Sequence, residues 1–203
     1  LRELDYSSLA FELTKDFVLG EISVSEYKKI CINSYKRSFG KEIISFDKLD
    51  QHKFIANLFN GPTYAFKDFA LQLLGNIYDC ILRKRKINLT ILGATSGDTG
   101  SAAIHGCAKS DNVKIFILFP LNRVSEIQRK QMTTVKKQNV FNIAVKGNFD
   151  DCQRMVKNYF KLNNENKKIN LAAVNSINWV RIMGQIVYYF WSYFRVSNRF
   201  DPL

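Results

Sequence analysis

Little in this 203-residue chain points to a metal, a disulfide framework or a membrane. Its four cysteines (Cys31, Cys80, Cys107, Cys152) stand singly, with no CxxC pair and two histidines in the whole sequence. That spacing argues against a structural zinc site and against the disulfide scaffold of a small secreted domain. No bound metal, and reduced thiols in a cytoplasmic protein, are the expectation. A membrane span needs roughly 18–20 uninterrupted apolar residues. The nearest stretch, 182–196, is broken by Gly184, Gln185 and Arg195. The chain opens at Leu1 without a Met, a basic leader or a cleavage site, so no secretory signal is visible and residues are expected to precede it.

Acidic residues are also scarce, 18 against 30 Lys and Arg, for a net charge of +12. Nucleic-acid binding needs a basic face that displaces counterions from phosphates, but these cations are scattered over many segments. The densest run, Arg83-Lys84-Arg85-Lys86, falls where a helix should end, and cations there complement the helix dipole. No nucleic-acid and no membrane partner is expected. What the chain does have is apolar bulk: 46% hydrophobic residues with 16 Phe and 9 Tyr, which excludes a disordered class and suffices for one sizeable core or two small ones.

Residues 1–58 read as short helices followed by a weak strand pair near 42–46 and 53–58; Ser23 and Glu26 have capping-box spacing. The Asn60-Gly61-Pro62 turn predicts a helix over about 63–83. From residue 88, apolar runs at 88–92, 114–119, 140–145 and 169–174 alternate with amphipathic segments near 99–109, 125–137 and 148–162. This alternation predicts an α/β fold with a parallel sheet covered on both faces. A final helix over 179–196 carries Tyr188, Tyr189, Phe190, Trp191, Tyr193 and Phe194 in its second half, more than a four-stranded unit can easily bury, and so expects a further packing partner.

Three segments could carry chemistry. Lys67, near a helix N-terminus on an otherwise apolar stripe, is disfavoured as a cation by the dipole and by desolvation; both favour the neutral, nucleophilic amine. A lysine snorkelling past a hydrophobic edge fits the same spacing. Gly93-Ala94-Thr95-Ser96-Gly97-Asp98-Thr99-Gly100 follows a strand and opens a helix, aiming N–H groups and hydroxyls outward as an anion site does; it is neither GxGxxG nor a P-loop. Asn175-Ser176-Ile177-Asn178 with Arg181 repeats the strand–turn–helix arrangement and could grip a second anion. Caps and turn residues explain both segments equally well on spacing.

Taken in order, the three are specific. Leu58-Phe59-Asn60-Gly61-Pro62-Thr63-Tyr64-Ala65-Phe66-Lys67-Asp68-Phe69 resembles the cofactor-lysine segment of threonine synthases. Thr95-Ser96-Gly97-Asp98-Thr99-Gly100 resembles the substrate-carboxylate loop of that fold type, and Asn175-Ser176-Ile177-Asn178 with Arg181 resembles the segment for the substrate phosphate. The likeness runs from about Leu58 to Phe194. It implies a pyridoxal-phosphate enzyme of the tryptophan synthase β-like fold (fold type II), N-terminal portion. Residues 1–87 would be a helical region and the start of the large cofactor domain, 88–178 a small α/β domain, and 179–203 a helix returning to the large domain.

By the same resemblance the reaction is a carbon–oxygen lyase step in threonine biosynthesis: O-phospho-L-homoserine and water to L-threonine and phosphate. Lys67 would hold pyridoxal 5'-phosphate as a Schiff base, and Asp98 would contact the cofactor. Thr95, Ser96, Asp98 and Thr99 would bind the substrate carboxylate, and Asn175 and Arg181 the leaving phosphate. Members of the family are roughly twice this length, and the phosphate cradle of the cofactor is expected beyond residue 200. The C-terminal half of the same enzyme is therefore the expected partner, and a fragment inactive by itself is the expectation. A threonine-synthase-like phospholyase releasing a 2-keto acid, and a non-catalytic binding fragment, stay open as alternatives.

Overall fold

A computed structural model of the protein describes residues 1–166, 168–174 and 178–197. The N-terminal region is helical, as its caps require. Helix α1 (Tyr6–Thr14) starts where the Asp5 carboxylate accepts the Ser8 N–H at 2.8 Å. Helix α2 (Val24–Cys31) carries the full Ser23/Glu26 capping box and runs on into a π-helical turn, Ile32–Lys36. Strands β1 (Ser45–Lys48) and β2 (Phe54–Asn57) pair antiparallel; β2 lies inside its expected limits, whereas β1 starts three residues late and runs two past its expected end.

Helix α3 (Lys67–Arg85) begins one turn later than the sequence suggests. The cause is local. Tyr64 takes a left-handed φ of 58°, which a helix cannot pass through. The Asp68 carboxylate reaches back to accept the Thr63 N–H and hydroxyl, both at 2.8 Å, so residues 61–66 form a tight turn. Lys67 is consequently the first helical residue. Helix α3 ends at Lys86 in the left-handed region, with Arg83, Lys84 and Arg85 in its last turn as the dipole favours.

Strands β3 (Leu89–Ala94), β4 (Val113–Pro120), β5 (Val140–Val145) and β6 (Leu171–Ala173) form one parallel sheet in the order β5-β4-β3-β6. Helices α4 (Asp98–Cys107) and α5 (Glu126–Thr133) lie with α3 on one face. Ile91, Ile115 and Ile117 there meet Leu71, Leu74, Ala103, Ile104 and Met132, all essentially excluded from water; full burial of an aliphatic side chain of this size stabilises by about 1.5–3 kcal/mol. Helix α6 (Phe149–Asn166) covers the other face through Cys152, Val156 and Phe160. Its start is fixed by a reciprocal pair, Asp151 N–H to Asn148 at 3.0 Å and Asn148 N–H to Asp151 at 2.8 Å. That second cover is incomplete: a 370 Å³ cavity remains between α6 and the sheet, lined by residues including Phe116, Ile143, Met155 and Tyr159.

Helix α7 (Trp179–Val196) returns to a separate core built from α1, α2 and α3. It buries Met183, Val187 and Tyr188, the last edge-on to Phe69 at 5.5 Å. Trp179, Tyr189 and Phe190 stay exposed, so the helix finds part of the packing its aromatics call for. Two glycine contacts let α3 approach its neighbours. A Cβ on Gly75 would stand 2.0 Å from the Gly106 carbonyl oxygen of α4, and a Cβ on Gly184 of α7 would stand 2.9 Å from the Ala70 Cα.

Candidate active site

The close α3–α4 crossing determines what meets at the carboxyl end of the sheet. Helix α3 begins with Lys67 and α4, entered directly from β3, begins with Asp98. Their N-termini lie side by side, and the Lys67 Nζ stands 3.6 Å from Asp98 Oδ2. The lysine side chain is 21% exposed and the aspartate 45%; the pair is thus open to a small molecule yet partly sheltered. The Lys67 ammonium also lies 5.8 Å from the centre of the Phe66 ring. Neither Phe66 nor Gly97, the residues that precede these helices, makes a side-chain hydrogen bond to its first turn. First-turn N–H groups of an uncapped helix can receive an anion.

The loop between β3 and α4 is shaped from inside. The buried Thr95 hydroxyl accepts the Gly97 N–H at 3.0 Å and the Gly100 N–H at 2.9 Å, so it is turned into the loop. Ser96 is exposed and Thr99 half-buried on the outer side. Gly97 has φ +147°, a conformation suited to glycine, and a Cβ there would stand 2.2 Å from Gln128 Oε1. Ser101 donates its hydroxyl to the Gly97 and Asp98 carbonyls at 3.2 and 3.1 Å.

Helix α5 closes over both loops. Gln128 donates through Nε2 to Asp98 Oδ1 and accepts the Ser125 hydroxyl on Oε1 at 3.0 Å. Gln131 donates to the Thr63 carbonyl at 3.0 Å and so ties α5 to the turn before Lys67. Beneath that turn sits Asp68, fully buried; burial pushes its carboxyl up, against the lowering pull of the Thr63 bonds. Sequence reasoning missed Asp68, Gln128 and Gln131. The i, i+3 spacing of the two glutamines on one helix face was the available signal, though it does not say what that face meets.

Arg181 lies in the first turn of α7, which Asn178 caps by accepting the Val180 N–H at 3.0 Å. Its residue is 3% exposed, and its Nε has no hydrogen-bond partner among the described residues. Burial lowers its pKa from the ordinary guanidinium value. One turn along each helix, Gly184 sits against Ala70, itself one turn past Lys67. Asn175, the other residue expected at this end, lies outside the described residues, as do Ser176 and Ile177. Among the described residues no cluster of three His, Cys, Asp or Glu could hold a metal ion, and no helix is long and apolar enough to cross a membrane.

Residues 46–201 match the family described as "Pyridoxal-phosphate dependent enzyme". The chain is 54% identical over 187 residues to the threonine synthase of Pseudomonas aeruginosa, covering 92% of this chain and 40% of that protein. It is 42% identical over 214 residues to the threonine synthase of Saccharomyces cerevisiae, covering 98% of this chain and 41% of that one. Its fold matches the crystal structure of threonine synthase from Brucella melitensis with pyridoxal phosphate bound, with a TM-score of 0.93 and 40% identity over 100% of this chain and 44% of that one. The chain spans about two-fifths of the length of the curated relatives it matches.

Proposed function

The chain belongs to the pyridoxal-phosphate-dependent enzyme family, and from that premise we propose that it is the lysine-bearing portion of a threonine synthase, acting on O-phospho-L-homoserine. The supporting observation is the meeting of Lys67 with Asp98, the first residue of α4, at 3.6 Å at the carboxyl end of a parallel strand. Ligands of open α/β sheets bind at that end. An amine beside a helix N-terminus suits an aldehyde cofactor and an anionic substrate, so the residues present fit that part of the group's chemistry. On this reading residues 1–87 and 179–203 belong to the cofactor domain and 88–178 to the small domain, with α3 shared between the two cores through Leu71, Leu74 and Leu82.

When bound, pyridoxal phosphate supplies an electron sink for carbanion chemistry. Lys67 supplies the amine that holds the cofactor and, once free, moves protons at the substrate's α and β carbons. Ser96 and Thr99, with the N–H groups of the first turn of α4, orient the substrate carboxylate. Thr95 serves by shaping that loop, and Asp98, which faces the lysine, would contact the cofactor. Arg181, with Asn175, holds the leaving phosphate. Its buried, unpartnered Nε favours a phosphorylated substrate, because a desolvated guanidinium gains most from an anion. Charge gathers on that phosphate as its bond to carbon breaks, so donors fixed there favour the transition state over the ground state.

The test is an assay of the full-length polypeptide carrying this segment, with phosphate release and threonine formation followed together. Lys67→Ala should abolish both. Retention of wild-type turnover by Lys67→Ala would refute the assignment, and phosphate release with a 2-keto acid in place of threonine would make the enzyme a phospholyase.

A further inference from the structure

Lys67 and Asp98 stand at an unusual separation for an ion pair on adjoining helix starts: 3.6 Å, inside Coulombic range but beyond a hydrogen bond. Asp98 is half-exposed, and its free oxygen could close on the ammonium by a small rotation. What restrains it comes from α5. Gln128 Nε2 donates to the other carboxylate oxygen, Oδ1. The amide is itself held from behind, because its Oε1 accepts the Ser125 hydroxyl at 3.0 Å. The carboxylate, which can only accept, fixes Nε2 as the end of the amide that faces Asp98. Gly97 completes the arrangement: with no Cβ there, the Gln128 side chain can lie flat against the loop, where a methyl group would stand 2.2 Å from Oε1. Ser125, Gln128, Asp98 and Lys67 thus form one line, from the cap of α5 to the amine.

We propose that Gln128 is a positioning residue for Lys67: by anchoring Asp98 through one oxygen it keeps the carboxylate from collapsing onto the amine, which stays free to react. This deepens the reading of Lys67 as the cofactor amine and rests on it. An opposite charge drawn into hydrogen-bond range favours the ammonium form of a lysine, and an ammonium is not a nucleophile. Without Gln128 the aspartate would hold the amine as a tight ion pair.

The experiment treats the full-length polypeptide carrying this segment, freed of cofactor, with pyridoxal at fixed pH, traps the adduct with cyanoborohydride and measures the labelling rate at Lys67 by peptide mass spectrometry. Exposed Lys53 serves as an internal reference. Gln128→Met keeps the length of the side chain and loses both bonds; labelling at Lys67 should slow about tenfold, with Lys53 unchanged. Gln128→Glu keeps the shape and still accepts from Ser125 but cannot donate to an ionised Asp98, so it should slow Lys67 likewise and covers the case in which the Met variant folds poorly. Adding Asp98→Asn to either variant removes the trapping carboxylate and should bring the rate back to the wild-type value or above it. Unchanged labelling in the folded single variants, or slowing that persists in the double variants, would overturn the proposal. Whether pyridoxal prefers Lys67 to Lys53 in the wild-type chain bears on the cofactor reading, and the ratio between variants bears on Gln128, so the two can fail separately.

Discussion

Gly75→Ala probes the contact on which the site geometry depends. The added Cβ would stand 2.0 Å from the Gly106 carbonyl oxygen and 2.5 Å from its carbon. Carbon–oxygen contacts ordinarily begin at roughly 3.3 Å, so α3 and α4 must separate by more than about 1 Å. The obstacle is backbone, which has no rotamer to escape into, and the reciprocal contact is equally tight: a Cβ on Gly106 would stand 2.3 Å from the Leu71 carbonyl oxygen. Overpacking costs about 1–3 kcal/mol, and the upper end applies here. Replacing a mid-helix glycine by alanine returns about 1 kcal/mol, which leaves a net loss of about 2 kcal/mol. For a domain of this size that corresponds to a fall in melting temperature of about 4–8 °C. Because Lys67 and Asp98 are the first residues of these two helices, the same separation should alter the pyridoxal labelling rate at Lys67. Thermal melts by circular dichroism and the labelling assay measure the two effects. Gly40→Ala, with nothing within 4 Å of the new Cβ, is the control and should match wild type. If Gly75→Ala melted at or above the wild-type temperature and labelled normally, the close crossing would not be what sets the site.

Two further outcomes follow from buried ionisable groups. Burial raises the Asp68 carboxyl above the ordinary aspartate range, so the folded state holds the proton more tightly than the unfolded chain. Its contribution to stability is then complete below about pH 4 and is lost as pH rises through the raised value. Asp68→Asn, whose amide oxygen can still accept the Thr63 N–H, should therefore gain on wild type as pH rises from 4 to 7; urea midpoints in which the difference is flat or runs the other way would contradict this. Burial pushes the Cys31 and Cys107 thiols up to about 12, whereas Cys80 is only half-buried. Ellman's reagent at pH 8 should modify Cys80 first and reach Cys31 and Cys107 only on unfolding, and early modification of either buried thiol would count against the packing of its core.

Much of the local structure was legible in the sequence because its causes are local. Ser23 with Glu26, and Asn148 with Asp150 and Asp151, announce helix starts through bonds that span three residues, and both starts are where they were expected. Strand β5 and helix α7 have the limits that their apolar patterning predicts. The start of α3 was not legible, because it depends on a buried carboxylate reaching back to Thr63 and on a left-handed Tyr64. Three motifs in order were enough to indicate the family, since motif order survives without coordinates. Distances do not. That Lys67 stands 3.6 Å from Asp98, that Gln128 restrains the aspartate and that Arg181 is buried with an unpartnered nitrogen are decided by the α3–α4 crossing at Gly75 and Gly106 and by where α5 and α7 pack. Those contacts join residues far apart in the chain, and only the packed helices fix which side chains face one another and at what separation.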